Sequence, residues 1–135
     1  MISPAPELSI VIPAYNEEAR LPRTLAAIRD YLAAQRLGPE QVEILVVDDG
    51  SKDATIRVAQ EMAREMPSLR VVPNGENRGK GYSVRHGMLE ARGRLTLFTD
   101  ADLSSPIEEW PKLRAAIESG YDAAIGSRAM DRSLI

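Results

Sequence analysis

Short apolar runs and longer amphipathic stretches alternate along this 135-residue chain. The runs Leu8 to Ile12, Val42 to Val47, Leu69 to Val72, Leu95 to Thr99 and Tyr121 to Ile125 are rich in residues that suit a pleated, buried surface. Val42 to Val47 is apolar enough to be covered on both faces of a sheet. Between the runs the apolar period lengthens to that of a helix. Leu21 to Gln35 places Leu21, Leu25, Ile28 and Leu32 on one face. Ala54 to Met66 does the same with Ile56, Ala59, Ala63 and Met66, and Pro67 stops it. The polar loop Asn74 to Gly81 leads into a third helix ending near Ala91. Ser105-Pro106-Ile107-Glu108 reads as the capped start of a fourth, with Trp110, Leu113 and Ile117 as its buried stripe and Gly120 as its end.

The order βαβαβαβαβ predicts an α/β domain, a mostly parallel sheet with helices on both faces and little after the fifth strand. The length allows one domain at most, and no internal repeat, linker or low-complexity tract interrupts it. Ligands of open α/β sheets bind outside the carboxyl ends of the strands. Those ends read Pro13-Ala14-Tyr15-Asn16-Glu17, Asp48-Asp49-Gly50-Ser51, Asp100-Ala101-Asp102 and Gly126-Ser127-Arg128. Nearly all the unusual polar chemistry falls on that one rim.

Charge and composition narrow the function classes. A formal net charge of −3 with scattered basic residues gives no field that would recruit nucleic acid. The absence of cysteine excludes a disulfide framework and thiolate metal sites. No basic-then-apolar leader and no membrane-length apolar run is present, so the sequence reads as that of a soluble, cytoplasmic chain.

Asp100 and Asp102 share one face of an extended segment, because side chains alternate along a strand. Hard oxygen ligands of this kind suit Mg²⁺ or Mn²⁺ together with phosphate oxygens. The plainer alternative is a solvated turn capping the next helix, although Ser105 already supplies that cap. Asp48 and Asp49 also read two ways. Asp48 is expected to bond turn amides, while Asp49, one position further out, can accept an N–H from a nucleobase. Arg78 and Lys80 stand among glycines that let backbone approach a ligand, but Gly75, Gly79 and Gly81 match neither a Walker loop nor a dinucleotide fingerprint. Tyr15 could stack on a base or simply cover the core. His86, the only histidine, is expected to be a partly packed helix residue. Arg128 reads either as an exposed residue on a strand exit or as a phosphate or sugar ligand.

Taken in order, the segments SIVIPAYNEE, ILVVDDGSKDAT, ENRGKGYSVRHGM, FTDADLSSPIEEW and AIGSR closely resemble family 2 glycosyltransferases of the Rossmann-like GT-A fold. The resemblance runs from Ser9 to Arg128. Within the family it is strongest to the polyprenyl-phosphate sugar transferases, dolichyl-phosphate β-glucosyltransferases among them. It implies that Pro13, Ala14, Tyr15 and Glu17 form the first nucleoside-binding segment, and that Val47 and Asp49 hold the base, uracil. It further implies that Lys80 and Arg128 contact the nucleotide sugar. Asp100, Ala101 and Asp102 would be the catalytic triplet at the metal and diphosphate, with Asp102 the principal ligand of Mg²⁺ or Mn²⁺. Ser104 stands where the mannosyl branch of the family commonly has a metal-binding glutamine.

The implied reaction moves glucose from UDP-glucose to a polyprenyl phosphate with inversion. The complete protein would then work at the cytoplasmic face of a membrane. The family's domain continues past the Gly-Ser-Arg segment, so residues 1–135 are expected to be its nucleotide-binding portion, ending before the acceptor half. Two other readings stay open on the sequence: a non-catalytic nucleotide-binding fragment, and a haloacid-dehalogenase-like phosphatase suggested by Asp100-Ala101-Asp102-Leu103-Ser104.

Overall fold

A computed structural model describes residues 5–99, residue 101 and two further strands. The elements run β1 (Leu8–Ala14), α1 (Leu21–Ala34), β2 (Val42–Asp48), α2 (Thr55–Glu65), β3 (Leu69–Pro73), α3 (Lys80–Glu90), β4 (Leu95–Phe98), β5 (Ala123–Ile125) and β6 (Arg128–Met130). They build one six-stranded sheet in the order β3-β2-β1-β4-β5-β6. All neighbours are parallel except β5 and β6. The register sets Ile12 beside Val46 and Val11 beside Phe98, with β1 at the centre. The helix expected from Ser105 lies outside the described residues, as do Asp100, Asp102 and Ser104.

Strand alternation divides the core between the two faces of the sheet. Ile10, Ile12, Ile44 and Val46 face Leu21, Leu25, Ile28 and Leu32 of α1 and Ala59 of α2. Val11, Leu45, Val47, Val72 and Phe98 face the other way and are covered by Val84 and Met88 of α3. All seven residues of β2 are buried, as its apolar run predicts. In α2 the expected stripe holds at Ala59, Ala63 and Met66 but not at Ile56. Ile56 is only half-buried, whereas Thr55 is buried at the helix start and Met62 joins Ala63 in the packing. Thr55 is drawn inward because its hydroxyl bonds both Asp53 and the Glu17 N–H.

The end of the sheet corrects the sequence reading in one respect. Arg128 does not sit on a loop after a last strand; it opens β6, which folds back antiparallel with Arg128 opposite Ile125. Only Gly126 and Ser127 separate the paired strands, and Gly-Ser is a composition that two-residue hairpins favour.

At the amino ends of the strands, Glu43 is buried and accepts from the Ser9 hydroxyl (2.6 Å) and the Arg92 N–H (2.5 Å). Ser9 in turn accepts from the Gly93 N–H (2.8 Å), which ties the turn before β4 to β1 and β2. Among the described residues no helix is long and apolar enough to cross a membrane.

Helix α3 lies close on the sheet because Gly87 faces it. A β-carbon there would stand 2.4 Å from Val11 Cγ1 and 3.1 Å from Val47 Cγ2. Both valines are fully buried and have no room to yield. Gly87→Ala is therefore expected to lose about 1–3 kcal/mol by overpacking, despite alanine's better helix propensity. A urea midpoint equal to or above wild type would show that α3 is not seated this closely.

Candidate functional site

The strand order reverses between β1 and β4, and that switch point is where open α/β sheets hold ligands. A cleft of about 420 Å³ opens there at the carboxyl ends. Pro13, Ala14, Tyr15, Glu17, Asp49, Asn77, Lys80, Ser83 and Ala101 line it.

One wall is the loop after β1, locked to the loop after β2. Asn16 takes a left-handed conformation (φ 53°), which asparagine tolerates better than most residues. Its N–H donates to Ser51 Oγ (2.9 Å), and its side-chain carbonyl accepts from the Lys52 N–H (2.9 Å). The Glu17 N–H donates to Thr55 Oγ1 (2.8 Å) and the Glu18 N–H to Asp53 Oδ2 (3.3 Å). Arg20 holds the Glu17 carboxylate with Nε and Nη2, at 2.7 and 2.9 Å. Tyr15 projects from this wall, 40% exposed. On the β4 side the Thr24 hydroxyl of α1 donates to the Ala101 carbonyl, so the residue after the strand exit is anchored and buried.

The adjacent aspartates at the end of β2 divide their work. Asp48 Oδ2 accepts from the N–H groups of Gly50 and Ser51, both at 3.1 Å, as expected of a turn residue. Asp49 is only 6% exposed and carries more bonds. Its Oδ1 accepts from the Arg78 N–H (2.7 Å) and Asn74 Nδ2 (3.0 Å). Its Oδ2 accepts from the Gly79 N–H (3.0 Å) and Asn77 Nδ2 (3.2 Å). The carboxylate thereby serves as a remote cap at the start of α3, where the helix dipole also favours negative charge.

Burial by itself would raise the Asp49 pKa. The Arg78 N–H, the Asn74 amide, the Gly79 N–H and Ser83 outweigh it and hold the carboxyl below its ordinary value. Behind Asp49 the network continues. Asn74 also donates to Ser83 Oγ (2.9 Å), and the Ser83 hydroxyl donates to the Gly79 carbonyl (3.0 Å). With both Asn74 donors engaged, its carbonyl faces His86 Nδ1 at 2.7 Å, so the imidazole carries a proton on Nδ1. His86 is partly packed, its ring 5.9 Å from that of Tyr82.

The cleft thus gathers Pro13, Ala14, Tyr15, Glu17, Asp49, Lys80 and Ala101, residues singled out on the sequence. Val47 is not among the lining residues; it shares the Asp49 face of the sheet but is buried in the packing under α3. Arg128 is described only as the first residue of β6. Asn74, Asn77 and Ser83 were not among the expected site residues. Asn77 could have been found as the polar residue beside Arg78 and Lys80, and Ser83 from its place one helical turn after Gly79. Among the described residues no group of three His, Cys, Asp or Glu side chains could hold a metal ion.

This sheet, with its cleft at the β1–β4 crossover, is the nucleotide-binding architecture of GT-A glycosyltransferases. The chain belongs to Glycosyl transferase family 2, whose sequence profile matches residues 9–133. A dolichyl-phosphate beta-glucosyltransferase of Drosophila melanogaster is 43% identical over 137 residues, covering 94% of this chain and 42% of the relative. The chain therefore spans about two-fifths of that relative's length. Among solved structures, the mannosyltransferase PcManGT from Pyrobaculum calidifontis, in complex with GDP-Man and Mn²⁺, superposes with a TM-score of 0.67 at 28% identity. It covers 78% of this chain and 30% of its own. S. aureus TarS 1-349 in complex with UDP-GlcNAc gives 0.65 at 28% identity, covering 85% and 32%.

The Asp49 network has a pH signature. A carboxyl held low in the folded state stabilises fully above its ordinary value of 3.8, and that contribution vanishes as pH falls through the lower folded value. Asp49→Asn is expected to cost roughly 2 kcal/mol at neutral pH, the scale of bonds to a charged group. The gap to wild type should then narrow as pH drops below 3.8. Denaturant melts of the two proteins across that range would expose an error, namely a gap that stays constant or widens in acid.

Proposed function

We propose that this chain binds a nucleoside diphosphate sugar, UDP-glucose, in the cleft at the β1–β4 crossover. We further propose that the protein transfers the glucose, with inversion, to dolichyl phosphate or another polyprenyl phosphate at the cytoplasmic face of a membrane. The observation that carries this reading is the cleft itself. It joins an exposed aromatic ring, a buried carboxylate, a lysine at a helix start and Ala101, the middle of Asp100-Ala101-Asp102. Membership of the family, the likeness to a dolichyl-phosphate beta-glucosyltransferase, and the GDP-Man and UDP-GlcNAc complexes of the structural neighbours support it.

In this reading Tyr15 lies against the base and Asp49 accepts its imide N–H. Pro13, Ala14 and the Arg20-braced Glu17 shape the nucleoside wall. Lys80, at the first position of α3, faces the phosphates, where helix amides and positive charge both favour an anion. Arg128 contacts the nucleotide sugar. Asp100 and Asp102 would hold Mg²⁺ or Mn²⁺. The anchoring of Ala101 to Thr24 fits that role, since it holds at the cleft the residue that separates the two aspartates in sequence. The bound cation would supply Lewis-acid stabilisation of charge on the departing diphosphate. The remaining contribution is positioning of the anomeric carbon by the rim. A phosphate oxyanion is nucleophilic enough to attack without a general base, so the chain need not provide one.

Isothermal titration with UDP, UDP-glucose and GDP-mannose, with and without Mn²⁺, tests the donor site. Metal-dependent binding of the uridine ligands is expected, with Asp102→Asn removing most of the metal dependence. A folded sample that binds none of the three in either condition would refute the site.

A further inference from the structure

Asp49 cannot serve a nucleobase as it stands. An ionised carboxylate offers about four acceptor positions, and here four donors already fill them. If the base is read by Asp49, as the proposed function holds, one of these donors must leave.

The four are not equally able to go. The Arg78 and Gly79 N–H groups are backbone, and losing either would undo the start of α3. Asn74 is buried and held in place by Ser83 and His86. Asn77 differs on every count. It is exposed, it lines the cleft, and its bond to Asp49 Oδ2 is the longest of the set at 3.2 Å. Its side chain's one other hydrogen bond among the described residues goes to the Asp49 carbonyl, at 3.3 Å. Its backbone is meanwhile held by the next N–H, of Arg78, on Asp49 Oδ1 (2.7 Å), and lies so near Gly50 (φ 74°) that a β-carbon there would stand 2.4 Å from the Asn77 nitrogen. The side chain can therefore rotate away without moving the loop.

We infer that Asn77 is a built-in competitor of the nucleobase, its side-chain amide occupying the Asp49 acceptor that the base must take over. The chemistry of the exchange is selective. An amide presents an N–H beside a carbonyl, and so do the ring edges of uracil (N3–H) and guanine (N1–H). Cytosine N3 and adenine N1 carry no hydrogen and present a lone pair at that position, so only their exocyclic amino groups could donate, from one atom to the side. A base without that N–H that displaced Asn77 would leave a buried carboxylate oxygen with one donor fewer, and the loss would count against it. A base with it restores the full set. Displacing the amide also lowers the apparent affinity for the right base, because the open form is only part of the free population.

Calorimetry with UDP and CDP on wild type, Asn77→Ala and Asn77→Ser tests this, neither replacement being able to span the gap to Asp49. Both variants should bind UDP about fivefold tighter, the equivalent of one ordinary hydrogen bond, while the preference for UDP over CDP, which rests on Asp49, is kept. In wild type, the Asn77 side-chain amide resonances should shift and exchange faster with solvent as UDP is added, while those of Asn74 stay put. If wild type binds UDP and folded variants bind it no tighter, Asp49 keeps its role and that of Asn77 is overturned. Asn77 resonances unmoved at UDP saturation overturn it likewise, without need of any variant. Failure of wild type and variants alike to bind UDP removes the base-reading site, and this inference with it.

Discussion

Bringing the Asp49 charge into the rim is the constraint around which the rest of the site is built. The carboxylate of a buried aspartate is tolerated only if donors replace the water it gave up. The chain supplies them from one segment, residues 74–79, by turning β3 back over the end of β2. That turn sets where α3 begins, and α3 covers one face of the sheet. The same carboxylate thereby closes a loop, caps a helix and forms one wall of the cleft. Removing it would touch all three at once. Fold stability and ligand recognition are for this reason coupled in one side chain.

A second buried carboxylate, Glu43, plays a corresponding part at the opposite edge of the sheet without any rim chemistry. It joins β1, β2 and the turn before β4 through Ser9 and the Arg92 N–H, with the Arg70 and Arg92 guanidinium groups at 3.8 Å. Each end of the central strands is thus pinned by one acidic residue of β2 or its exit. What separates the two is their surroundings. Glu43 is flanked by guanidinium groups that already neutralise it, whereas Asp49 is met by neutral amides and keeps its charge for something else.

Most of the fold was legible because both periodicities in the sequence are strong. Five strands and three helices fall within a residue or two of where the apolar spacing puts them. The parallel order follows from the alternation, and five motifs in sequence order identify the family on sight. Three things were not legible. The hairpin that makes Arg128 a strand residue depends on pairing across Gly126-Ser127, and the short segment Arg128–Met130 carries no apolar run of its own. Val47, grouped with Asp49 by the family resemblance, shares its face of the sheet, but how far α3 covers that face is a matter of tertiary packing. Asn74, Asn77 and Ser83 are ordinary polar residues in a polar stretch. Their importance comes from meeting Asp49 across 25 to 34 positions of chain, which no local pattern records. Asp100 and Asp102 remain readings of the sequence.

The distribution of unusual backbone follows the same division of labour. Among the described residues, positive φ angles occur at Asn16, Arg36, Gly50, Gly75 and Gly79. Four of these five lie on loops leaving the carboxyl ends of β1, β2 and β3; only Arg36, just past the end of α1, lies elsewhere. Strands of a parallel sheet must stay regular to share their hydrogen bonds, so the conformational cost of shaping a cleft falls on the loops. At Gly50 that cost has a visible purpose. The turn lets the Asn77 backbone settle where a side chain would otherwise stand, which brings the amide over Asp49. A rigid sheet therefore fixes where the carboxylate is, and a glycine chooses what covers it. The covering group is then free to be as replaceable as an asparagine side chain.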